Sequence, residues 1–100
     1  MSKTKIKHPN ALAEYRHRIG FTQEQVVRLL GYKRRHAMWI LESGQSVPSL
    51  ATALKLAAIY RAPVEFLFHI DFLRYRDEVR KREETLPVRG QQSLFPIFVV

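Results

Sequence analysis

Between positions 33 and 37 the chain reads Lys33-Arg34-Arg35-His36-Ala37. A guanidinium offers paired N–H donors to the O6 and N7 of guanine or to a phosphate, and the imidazole of His36 can donate or accept at a base edge. Ala37 brings only a methyl. The same run also reads as a solvated charge cluster with no partner. Gln23 stands at the head of a predicted helix, where unpaired amides and the positive end of the dipole suit a phosphate, or it is an ordinary exposed helix residue. Catalytic chemistry has no comparable support. Ser43, Ser46, Ser49, His36 and Glu42 lie close together, yet no glycine-flanked nucleophile, phosphate loop or carboxylate–histidine metal motif accompanies them. The expectation is therefore no enzyme. With no cysteine, and with histidines dispersed at 8, 17, 36 and 69, no metal or other cofactor is expected.

The charge balance points the same way as the cluster. The chain has a formal net charge of +8 over 100 residues, which favours an anionic partner such as nucleic acid or an acidic membrane. Residues 1–62 hold 11 Lys/Arg and 3 Asp/Glu, whereas residues 63–100 hold 6 of each. The whole excess thus sits in the first part. No apolar run approaches the length of a bilayer span and no signal-peptide pattern opens the chain, so a cytoplasmic protein is expected.

Positioning the cluster requires helices. Asn10 can cap a first helix to Ile19 in which Leu12, Tyr15 and Ile19 recur at three- and four-residue spacing, and Gly20 stops it. Thr22-Gln23-Glu24-Gln25 reads as a capping box opening a second helix with an apolar face of Val26, Val27, Leu29 and Leu30. Gly31 supplies a left-handed turn into a third helix over Arg35–Glu42, with Met38 and Leu41 inward, and Ser43-Gly44 ends it. Ser49 caps a fourth, core helix striped by Leu50, Ala53, Leu54, Ala57 and Ala58. Pro63 suits the first turn of a fifth helix that carries Val64, Phe66, Leu67 and Phe68 and can continue through Ile70, Phe72, Leu73 and Tyr75 to Val79.

From Leu12 to Phe68 this order of motifs resembles the Cro/phage-repressor, Xre-like family of helix-turn-helix proteins. Leu12-x-x-Tyr15-Arg16 is similar to its first helix, Phe21 to Gln25 and Leu29-Leu30-Gly31 to the opening of its motif, Leu41-Glu42-Ser43-Gly44 to its close, and Pro48-Ser49-Leu50 with Leu54 and Leu56-Ala57 to the helix that follows. Between Gly31 and Glu42 the chain has one more residue than the commonest family spacing. Val27 replaces a usual alanine, and Trp39 and Ile40 fall where polar, DNA-facing residues are common.

The resemblance implies an all-α, five-helix lambda-repressor-like domain over residues 9–68; outside it the residues themselves read as a basic arm (1–8) and a C-terminal helical extension with an apolar tail (69–100), which either pairs with a second copy or folds back on its own domain. The resemblance also implies a bacterial or phage-type transcriptional regulator that binds double-stranded DNA as a homodimer, with the third helix in the major groove. Arg35, His36, Trp39 and Ile40 would touch bases, and Gln23, Lys33 and Arg34 would touch phosphates. Arg16 and Glu42 would join the first and third helices, with Thr22, Gly31, Met38 and Leu41 as structural residues of the motif. Lys3, Lys5 and Lys7 form either a solubilising terminus or an arm around the duplex. Trp39 and Ile40 admit three readings: thymine contacts, a protein-binding surface, or core, with core burial of Trp39 ranked first. A protein-interaction module, such as an antitoxin or accessory factor using its C-terminal extension, is the alternative to a regulator.

The tail Leu94–Val100 is apolar enough to need covering by its own chain, a second copy or another protein. Since the family motifs end at Phe68, deleting Ser93–Val100 should alter sedimentation or solubility and leave the helical circular dichroism intact. Loss of most of the helical signal would place the tail in the core.

Overall fold

Short-range hydrogen bonds decide where each helix begins. The Thr22 hydroxyl accepts from the Gln25 amide at 3.1 Å while Gln25 Oε1 accepts from the Thr22 N–H at 2.9 Å, a reciprocal capping box. Ser49 Oγ accepts from the Thr52 amide in the same way. Asn10 Oδ1 accepts from the Leu12 amide at 3.0 Å, so the first helix starts at Leu12, two residues later than its cap suggested. The computed structural model describes residues 6–87, and every regular element among them is an α-helix. They are α1 (Leu12–Ile19), α2 (Gln23–Leu30), α3 (His36–Ser43), α4 (Leu50–Tyr60), α5 (Val64–Leu67) and α6 (His69–Glu83).

The first five helices surround one core to which each contributes a fully enclosed side chain: Leu12, Leu30, Met38, Leu56 and Leu67. Burying a leucine contributes about 1.5–3 kcal/mol, so these few residues supply much of the attraction that gathers the helices. Tyr15 and Ile19 of α1 pack against this core only partly buried.

Several expected faces are turned differently. Leu29 on α2 is exposed, because Val26, Val27 and Leu30 already fill the side that meets α3 and α4. On α4 the core side is Ala53, Leu56 and Tyr60, while Leu50, Leu54 and Ala58 look outward. The stripe was real but its phase was not the one the apolar residues suggested. The single long fifth helix is also broken: Phe68, at φ −123° and ψ 48°, separates α5 from α6, and Pro63 precedes α5 in extended conformation instead of lying in its first turn. The break lets Leu67 and Phe68 remain in the core while α6 leaves in a new direction, with Asp71 its only buried residue.

Asp71 anchors the start of α6. Its carboxylate accepts from Arg74 at 2.9 Å and faces His8 Nδ1 at 3.0 Å, and the His8 amide donates to the Gly44 carbonyl at 2.8 Å. The chain ahead of α1 is thus pinned between the end of α3 and the start of α6. Lys3, Lys5 and the apolar tail lie outside the described residues.

Gly44 carries the tightest of these approaches. A Cβ there would lie 2.7 Å from the His8 carbonyl oxygen and from Ile6 Cγ2, at a φ of +75°, whereas Gly20, at φ +93°, has nothing within 4 Å. Gly20→Ala should therefore cost only the left-handed strain of about 1–2 kcal/mol. Gly44→Ala should cost distinctly more, read as a lower urea midpoint. Equal midpoints for the two variants would show that the segment ahead of α1 gives way freely.

Candidate nucleic-acid interface

The turn between α2 and α3 is built by a glycine and locked from both sides. Gly31 adopts φ +88°, its amide donates to Arg28 O at 3.1 Å, and the Tyr32 amide donates to Val27 O at 3.0 Å, closing the end of α2. The Tyr32 and Thr52 hydroxyls hydrogen-bond to one another, which ties the turn to α4. Met38 and Leu41 face inward from α3 as their three-residue spacing predicted. Arg35 stands at the N-cap position and α3 itself opens at His36.

One ionic contact sets how α3 sits on α1 and α2. Arg16 Nε donates to Glu42 Oε2 at 2.6 Å and its Nη2 donates to Oε1 at 3.2 Å, while Nη1 reaches the Phe21 carbonyl at 3.1 Å. Gln23 Nε2 donates to Glu42 Oε1 at 2.9 Å. The side chains of Arg16 and Glu42 are only 11% and 9% exposed, so the pair is largely withdrawn from water. The hydrogen bond to Glu42 raises the Arg16 pKa above its ordinary value against the opposing effect of burial. Beside this pair, burial pushes the Tyr60 phenol well above its usual range, and the Glu42 charge adds to the rise. Asn10 Nδ2, donating to the Leu41 carbonyl at 2.9 Å, joins the segment before α1 to the same end of α3.

The outward side of α3 overturns the ranking of Trp39 as a core residue. Trp39 is 52% exposed, because with Met38 and Leu41 filling the inward arc a residue at position 39 is carried about 100° around the helix. Its ring stacks on His36 with centroids 5.4 Å apart and planes 11° from parallel. Ile40 is 37% exposed on the other flank, beside Tyr32, Pro48 and Ser49. An open cleft of about 1140 Å³ runs between the α1–α2 corner and the start of α3, lined by Gln23, Arg34, Arg35, His36 and Trp39 together with Arg16, His17, Phe21 and Glu24.

The structure thus gathers most of the proposed contact residues along one cleft and sets Ile40 beyond its edge. Lys33 is exposed in the turn but does not line the cleft. Gln23 lines it with its amide nitrogen directed at Glu42, a connection for which the capping-box reading gave no signal. His17 and Phe21 were also missed as lining residues; their closeness to Gly20, where the chain doubles back toward α2, was the available sign. Among the described residues no group of three metal-ligating side chains occurs, and no helix is long and apolar enough to cross a membrane.

The segment that holds this cleft is similar to known proteins. A family model described as a helix-turn-helix domain matches residues 10–67. An uncharacterized HTH-type transcriptional regulator of Archaeoglobus fulgidus is 38% identical over 60 residues, covering 60% of this chain and 84% of that protein. A second such regulator from the same organism is 35% identical over 69 residues, covering 69% and 87%. Both relatives are archaeal, so they lend no support to the bacterial or phage origin that the resemblance implied. No solved structure matches.

The Arg16–Glu42 pair makes a quantitative expectation possible. In a double-mutant cycle of Arg16→Ala and Glu42→Ala the two losses of stability should fail to add by more than about 0.5 kcal/mol, since each single change strands a partly buried charge. Additive losses would reduce the contact to two independent surface charges.

Proposed function

This chain belongs to the Xre-like helix-turn-helix family, and on that premise we propose that it is a transcriptional regulator that binds double-stranded DNA sequence-specifically with α3 in the major groove. The observation that carries the reading is the outward side of α3 itself. Among the described residues it stands free, is preceded by exposed Lys33, Arg34 and Arg35, and has its own carboxylate, Glu42, turned inward onto Arg16. A polyanion meets cations there, while α2 lies beside it in the position from which helix-turn-helix proteins touch the backbone. Arg35 and His36 are assigned to base edges, and Lys33 and Arg34 to phosphates. Gln23 contributes to the phosphate side through its place at the start of α2. The protein acts in the cytoplasm and needs no cofactor for this binding.

A homodimer is part of the proposal. Phe72, Tyr75 and Val79 recur at three- and four-residue spacing on α6 and are all about half exposed. They continue a shallow apolar groove of about 400 Å³ whose walls include Val47, Val64 and Phe68. The same helix mixes Arg74, Arg76, Arg80, Lys81 and Arg82 with Asp77, Glu78 and Glu83, so that a second copy laid along it would meet charges of both signs. The groove equally favours a second reading, a protein-interaction module such as an antitoxin or accessory factor that docks a different protein there.

Binding curves on selected and random duplexes at several salt concentrations separate these readings. Arg35→Ala should weaken binding to the selected site by about 1–3 kcal/mol per half-site and affect random DNA much less. Lys33→Ala should weaken both and make the salt dependence shallower by roughly one unit per lost contact. If neither substitution changes either curve, α3 is not a DNA-reading helix and the interaction module takes its place.

A further inference from the structure

The outward side of α3 carries little that could hydrogen-bond to a base beyond its first turn. Ile40 has no polar atom. The Ser43 hydroxyl, the next group along that side, donates to the Ile40 carbonyl at 2.7 Å and so has no proton left to offer a base. Trp39 presents a ring face stacked on His36, with one indole N–H as its whole polar capacity. Hydrogen-bonded readout is therefore concentrated in Arg35 and His36 at the start of the helix, while the following turn offers mainly hydrocarbon and a single indole N–H.

Among the groups that base pairs display in the major groove, the one hydrocarbon is the C5-methyl of thymine. We propose that Trp39 and Ile40 select thymine methyl groups, so that the preferred site carries thymines under the second turn of α3, next to the base pair met by Arg35. This rests on the DNA-binding reading above and gives it a base composition. Charge argues for DNA as the occupant of this apolar patch. The cleft beside the patch carries Arg34, Arg35 and His36 against one exposed carboxylate, Glu24, and the carboxylate on α3 is already paired with Arg16. The two side chains also divide the work in space. Trp39 lies on the cleft flank with Gln23, and Ile40 on the opposite flank with Tyr32 and Ser49. They would reach methyls of different base pairs. The His36 stack holds the indole in place before DNA arrives, which lowers the entropy lost on contact.

The test starts from the full chain and a random-sequence duplex library, from which the best-bound duplex is recovered and sequenced. Each thymine is then replaced in turn by deoxyuridine, which keeps base pairing and removes only the methyl. Affinity, measured by fluorescence anisotropy, should fall about fourfold at one or two thymines in each half-site, the worth of one buried methyl-sized group. Ile40→Ser and Trp39→Ala should each erase one of these differences, so that the thymine and deoxyuridine duplexes bind alike at that position. A selected site indifferent to deoxyuridine at every position would overturn methyl reading and leave DNA binding standing. The deoxyuridine comparison needs no altered protein, so poor folding of a variant cannot mask that result. Failure to enrich any duplex would overturn the DNA-binding reading itself, and methyl reading with it.

Discussion

The contact between Arg16 and Glu42 is the constraint on which the placement of α3 depends. Hydrophobic burial draws five helices together, but it has no direction and would tolerate small rotations of α3 about Met38 and Leu41. A planar guanidinium held by both carboxylate oxygens does have direction. Because the same arginine also grips the Phe21 carbonyl, and the same glutamate accepts from Gln23, one node fixes α1, α2 and α3 at once. Its partial burial makes each charge costly without the other, so the node resists slipping into alternative pairings. The exposed cations of the α2–α3 turn can then meet a ligand without drawing Glu42 out to neutralise them.

What was legible in the sequence was mostly local. Thr22 with Gln25, Ser49, and the glycines at 20 and 31 act over three or four residues, and their chemistry is nearly independent of the remainder of the chain. The capping box and the helix order could be read for that reason. Phase was harder to read. α4 has apolar residues on more than one side, and three-residue spacing cannot say which side meets the core, so Leu50 and Leu54 were assigned inward and lie outward. Trp39 failed for a related reason. A tryptophan's usual burial is an average over environments, whereas the inward positions of Met38 and Leu41 were already enough to turn residue 39 aside.

Contacts between distant positions that lie outside the family motifs left no trace that one sequence could reveal. His8 and Asp71 are separated by 63 positions, and neither belongs to any motif, yet together they hold the first turn of α6 against the segment before α1. The chain bends at Phe68, between Leu67 in the core and Asp71, which meets His8. One end of α6 is thereby fastened to the domain, and the far end carries its apolar and charged residues away from it.

Trp39 is the single tryptophan of the chain. Its half-exposed indole, in face contact with an imidazole on the outward side of α3, makes all tryptophan emission from this protein originate at one known place. The aromatic residues of α6, Phe72 and Tyr75, do not share that spectral band. Emission excited selectively in the indole of the unlabelled chain therefore reports on the outward side of α3, with no added probe.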